Sequence, residues 1–139
     1  MEDYVLPKGS QLIQAPFVCD ERGTLTFVTG GEEIPFSISR VFWIYDVPEG
    51  QRRGGHAHRE CAEVVFAVSG GFTMCIDDGN VRAEVPIHKP MEGILIPAGM
   101  WCELKDFLPG TVLAVMASHP YDETGYINSY EEFRKEKER

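Results

Sequence analysis

From Gln11 to Ser118 the chain is a succession of short runs rich in β-branched and aromatic residues, each closed off by Gly, Pro or Asp. That rhythm specifies an antiparallel sandwich or barrel of about ten strands. The clearest runs are GTLTFVT (23–29), FSISRVFWIYDV (36–47), CAEVVFAVS (61–69), GFTMCID (71–77), VRAEVPI (81–87), EGILIP (92–97) and TVLAVMAS (111–118). Asp77, Asp78, Gly79 and Asn80 read as a hairpin turn joining two of them, because Asp-Gly and Asn tolerate the positive φ that tight hairpins demand. Val64, Val65, Phe66, Ala67 and Val68 are apolar at every position, so both faces of that strand need cover. One face fills the barrel; the other meets either a second layer of the same chain or the same sheet of a partner, which makes a homodimer the expected assembly.

The pattern changes after Tyr121. Ser129 followed three residues later by Glu132 forms a capping box that opens a charged C-terminal helix through YEEFRKEKE. The 139 residues suit one domain, 1–139, and a hydrophobic content of 43% suffices for a buried core. With 13 basic and 22 acidic residues the net charge is −9, which opposes general binding to nucleic acid or to anionic membrane, so an anionic ligand must meet a local basic patch. The first twenty residues lack a basic start followed by an apolar stretch, and no apolar run approaches a membrane span; the expected location is the cytoplasm. Cys19, Cys61, Cys75 and Cys102 are scattered without a CxxC pair and read as small hydrophobes rather than disulfide partners.

The stretch GQRRGGHAHRECAE (50–63) carries the chemistry. On an extended strand residues i and i+2 share a face, so His56 and His58 project into the same space. Imidazoles titrate near neutrality and suit proton transfer or, in neutral form, metal binding; a hydrogen-bonded structural pair is the plain alternative. Gly50, His56, His58, Glu63 and Gly70 reproduce the first cupin motif, G(X)5HXH(X)4E(X)6G, with every spacer matched. Gly93, Pro97 and Gly99 resemble the second cupin motif, but Cys102 stands where a metal-binding cupin has its last histidine. The cupin resemblance implies an all-β fold, a double-stranded β-helix or antiparallel jelly roll, with the short C-terminal helix appended. A metal-binding or non-catalytic cupin using His56, His58, Glu63 and Cys102 is one reading; the closer resemblance favours another, without metal or cofactor.

RGTL (22–25), PFSISRVFWIYDV (35–47), RGGHAH (53–58), IDDGN (76–80), PAGMWCELKDF (97–107) and YDETGYINSYEEF (121–133) follow one another as in the WxcM-like sugar-nucleotide 3,4-ketoisomerases, which the chain resembles over most of its length. The resemblance implies a dimeric isomerase that moves the keto group of a dTDP-4-keto-6-deoxyhexose between C4 and C3, in deoxysugar biosynthesis for surface polysaccharide. It implies His56 and His58 as the acid–base pair, with His56 the stronger candidate for the base. Arg40 and Arg53 are the candidates for clamping the diphosphate, and Trp101 and Tyr121 for stacking on base or sugar. Arg52 and Arg59 read as surface residues, and Glu63 either orients an imidazole or faces solvent. Phe42, Trp43 and Cys102 depart from the family pattern, each replacing a more polar residue. A 3,5-epimerase acting on a related keto sugar is the nearest chemical alternative, since it also enolises the sugar.

Overall fold

The computed structural model describes residues 5–138. Residues 1–4 and 139, the ends of the expected domain, lie outside them. Twelve strands are present among the described residues: β1 (Gln11–Gln14), β2 (Phe17–Asp20), β3 (Gly23–Thr26), β4 (Arg40–Ile44), β5 (Arg53–His58), β6 (Glu63–Ser69), β7 (Phe72–Asp77), β8 (Arg82–Ile87), β9 (Glu92–Ile96), β10 (Trp101–Lys105), β11 (Val112–Ala117) and β12 (Tyr126–Ile127). They form two five-stranded antiparallel sheets, β1-β9-β6-β11-β4 and β12-β5-β10-β7-β8, and a separate β2-β3 hairpin. This is the antiparallel jelly roll expected of a cupin. Helix α1 (Tyr130–Lys137) closes the chain, its first turn capped by the Ser129 side chain accepting from the amide of Glu132. No helix among the described residues is long and apolar enough to cross a membrane.

The main core lies between the sheets, where Val65, Ala67, Ile94, Ile96, Leu113 and Val115 face Phe72, Met74, Ile76, Ala83, Val85 and Ile87. Alternation explains the split along β8, where Ala83, Val85 and Ile87 are buried and the residues between them exposed. The opposite face of β6 is settled within the chain: Val64 and Phe66 pack with Ile13, Ala15 and Ile34, over which Val28, Phe36 and Ile38 also fold. Gly93 makes room for that packing, since a Cβ there would lie 2.8 Å from the Phe66 ring. A third cluster, Ala57, Trp101, Ile127 and Phe133, seats α1 on the outside of the second sheet.

Candidate active site

Two glycines set the aim of the histidines. β5 and β10 pair with Trp101 opposite Ala57 and Cys102 opposite His56, then slip so that Glu103 faces Gly54. Gly55 is therefore the extra residue of a β-bulge, and both Gly54 (φ 80°) and Gly55 (φ 75°) adopt the left-handed conformation that such a bulge uses. A side chain at Gly54 would also press on the carbonyl oxygen of Cys102 at 3.0 Å. Beyond the bulge β5 runs regularly, and His56 and His58 fall on its inner face with ring centroids 4.7 Å apart and planes 83° to each other.

The other sheet supplies the charged partners by register. Ala117 of β11 pairs with Arg40 on one side and Glu63 on the other, which brings those two side chains to the same end of the barrel. Glu63 is buried, with a carboxylate oxygen 3.5 Å from His58 Nε2 and the other 3.9 Å from the Arg40 guanidinium. Neither contact is a hydrogen bond, and His58 Nε2 and Arg40 Nε are buried without a hydrogen-bond partner. The Arg40 guanidinium also lies over the rings of Phe42 and Tyr121, 5.0 and 5.7 Å from their centroids.

A residue not singled out in the sequence completes the cluster. Tyr126 of β12 pairs with His58, and its ring stands 4.3 Å from the His58 ring and 4.9 Å from that of His56. Burial pushes its phenol above the usual tyrosine range, against the opposing pull of the Arg40 guanidinium beside it. Burial also lowers the pKa of His56, and the neighbouring His58 lowers it further, while Glu63 pulls the other way. His56 is thus held as neutral imidazole at neutral pH.

Two cavities meet here. The larger, of about 530 Å³, is lined by Arg40, His58, Arg59, His119, Tyr121 and Tyr126 among others. The smaller, of about 210 Å³, runs into the barrel past Arg53, His56, Glu63, Phe42 and Cys102. Tyr126 lines both. The expected site residues are accordingly divided: His58, Arg40 and Tyr121 face the larger space, His56 and Arg53 the smaller, with the two imidazoles in contact between them.

Trp101 is a correction. It points to the outer side of the second sheet, 5% exposed among Ala57, Ile127 and Phe133, with its indole N–H donating to Glu103, so it is not available to stack on a ligand in either cavity. Trp43 lies 63% exposed on the outer face of β4 and does not bear on the cavities either. Arg59 does more than a surface arginine: its guanidinium donates to the backbone oxygens of Thr124 and Tyr126 and to the Glu136 carboxylate, fastening the segment that carries Tyr126. Arg52, by contrast, faces away to Glu103 at 3.5 Å.

Donor atoms of His56, His58 and Glu63 lie within 4.8 Å of one another, close enough to converge on an ion, but Cys102 is not part of that group. Its thiol is buried in the main core, and burial together with the charge of Glu63 pushes its pKa far up. The converging donors are therefore His56, His58 and Glu63, without the fourth member that the four-ligand reading assigned to Cys102.

The chain is similar over nearly its whole length to known sugar-nucleotide ketoisomerases. The TDP-4-oxo-6-deoxy-alpha-D-glucose-3,4-oxoisomerase of Aneurinibacillus thermoaerophilus is 36% identical over 126 residues, covering 91% of each chain. Among solved structures, a 3,4-ketoisomerase from Helicobacter canadensis superposes with a TM-score of 0.91 at 32% identity, covering 94% of this chain and 98% of that one. QdtA, a sugar 3,4-ketoisomerase from Thermoanaerobacterium thermosaccharolyticum solved in complex with TDP, gives 0.92 at 32% identity, covering 96% and 97%. Residues 8–138 match the family model described as FdtA: WxcM-like, C-terminal, and with relatives of this identity across nearly the whole length the chain belongs to that family.

Proposed function

We propose that residues 1–139 act as one domain that moves the keto group between C4 and C3 of a TDP-linked 4-keto-6-deoxyhexose, in the cytoplasm, as a step toward deoxysugars for surface polysaccharide. One observation carries the reading: two imidazoles 4.7 Å apart, one of them desolvated and neutral, face cavities that also hold arginines. Shifting a ketone by one carbon requires taking the proton from C3, holding the resulting enediol, and returning a proton to C4. A neutral imidazole is the base such a step needs near neutral pH. His56 takes and returns the carbon-bound proton; His58, with Glu63 at its Nε2, binds at the sugar oxygens. Arg40 and Arg53 hold the diphosphate from the two cavities through charge-assisted hydrogen bonds, and Tyr121, exposed at the rim, stacks on the nucleotide. Neither a metal nor a cofactor takes part in this scheme.

The assembly proposed with it is a homodimer. β4 is an edge strand whose outward side chains, Val41 and Trp43, are exposed together with Tyr45 just beyond it, and a second copy of the chain is the occupant we assign to that surface.

Incubation with TDP-4-keto-6-deoxyglucose in deuterated buffer tests the activity. Proton NMR should show the 3-keto isomer together with deuterium at the carbon beside the ketone. A substrate that acquires neither overturns the reading, and inversion of a ring carbon with the ketone still at C4 would replace it by a 3,5-epimerase.

A further inference from the structure

We infer that Tyr126 is a second catalytic group of this site, carrying the proton that moves between the two sugar oxygens while His56 carries the one that moves between the two carbons. The inference rests on the isomerase reading and assigns a step which that reading leaves open.

The reaction displaces two protons, and they are unlike. The one on carbon calls for a neutral base; the one on oxygen calls for an acid that still holds its proton at neutral pH and can take one back. His58 is badly placed for the second task, because its Nε2 is buried and turned toward the Glu63 carboxylate rather than toward open space. Tyr126 is well placed. It is the residue common to the walls of both cavities, its ring lies edge-on to His58 and tilted against His56, and the Arg40 guanidinium stands beside its hydroxyl. Burial keeps the phenol protonated at rest, while the neighbouring guanidinium favours the phenolate when it forms.

The step balances without another reagent. His56 takes the C3 proton; the C3–H electron pair becomes the C3=C4 bond; the C4 carbonyl π pair moves to O4, which takes the proton of the Tyr126 hydroxyl. The enediol then reverses the flow on the other side. Tyr126 phenolate takes the proton from O3, the O3–H pair forms the C3 carbonyl, and the C3=C4 pair takes the proton from His56 at C4. Both residues return to their starting forms.

Tyr126→Phe keeps the ring that packs on the imidazoles and removes only the hydroxyl. The measurement is the yield of 3-keto isomer and of deuterium exchange at C3, followed together by NMR in deuterated buffer. With the oxygen proton stranded, enolised sugar falls back to substrate more often than it goes forward. Isomer formation should drop by about 10²–10⁴-fold, and exchange events per isomer formed should rise by about ten-fold or more. That ratio does not depend on how much protein is folded or how tightly it holds TDP. Isomer formation within about three-fold of the unaltered chain, or a fall in isomer and exchange by the same factor, overturns the assignment. If the unaltered chain itself gives neither product nor exchange, the isomerase reading fails instead, so the two failures are distinguishable.

Discussion

At the level of single residues, the proposed mechanism depends on His56 being kept uncharged by its surroundings. In the role proposed for it His56 must be neutral, and burial holds its pKa below the ordinary value; the acidic limb of kcat/KM should therefore fall below about pH 6.5, the value of an unperturbed imidazole. His56→Asn should reduce turnover by about 10²-fold or more while calorimetry finds TDP affinity within about two-fold, since proton transfer is lost and the phosphate clamp is not. The same desolvation has a stability consequence. The unfolded chain takes up a proton at His56 more readily than the fold does, so this residue makes stability decline as pH falls through about 6.5, until the lowered native pKa is reached. Urea unfolding across that range should show a shallower decline for His56→Asn than for the unaltered chain. The imidazole pair was readable in the sequence because a strand puts i and i+2 on one face. Tyr126 was not, because it lies in DETGYINS, a stretch with the composition of a loop, and only the two-residue pairing of β12 with β5 turns its ring inward.

Among the elements, the runs with the strongest β-branched content gave the strands most faithfully, β6, β7, β8, β9 and β11 each lying within the run expected for it. The ends were less legible. FSISRVFWIYDV shrinks to Arg40–Ile44 because Asp46 takes a positive φ that ends the ladder on that side. WCELK, with two charges in five residues, gave no strong strand signal, yet it is β10, in the middle of a sheet. With that strand unread, its register was unread too, and register alone decides that Cys102 faces the interior with His56 while Trp101 faces α1. α1 in turn holds Tyr126 through Arg59. Arg59→Ala removes two donations to backbone carbonyls and a pair with Glu136, and should loosen the segment that carries Tyr126 while leaving the barrel folded. Hydrogen exchange should show it as faster amide exchange confined to residues 126–133, with strands β6 and β11 unchanged.

Over the whole molecule, the ordered blocks in the sequence identified the jelly roll, while its outer surfaces had to be seen. The two-faced apolar pattern of β6 had two possible explanations, and the structure divides it: the chain itself covers Val64 and Phe66, whereas Val68 on that strand, Val41 and Trp43 on β4 and Tyr45 just after it stay open. If a second copy covers β4, Trp43→Glu should put a charge into the interface. Sedimentation velocity should then find a monomer near 15.6 kDa where the unaltered chain sediments as twice that mass.

The four unpaired cysteines carry one more consequence. Cys102 is shut inside the barrel, Cys75 is buried on the outward face of β7 beside Glu84 and Lys105, and Cys61 is buried in the wall of the larger cavity, while Cys19 stands exposed on the β2-β3 hairpin. A bulky thiol reagent should therefore mark Cys19 at once and Cys102 only as the barrel comes apart, so the chain carries its own chronometer of opening, legible by mass spectrometry.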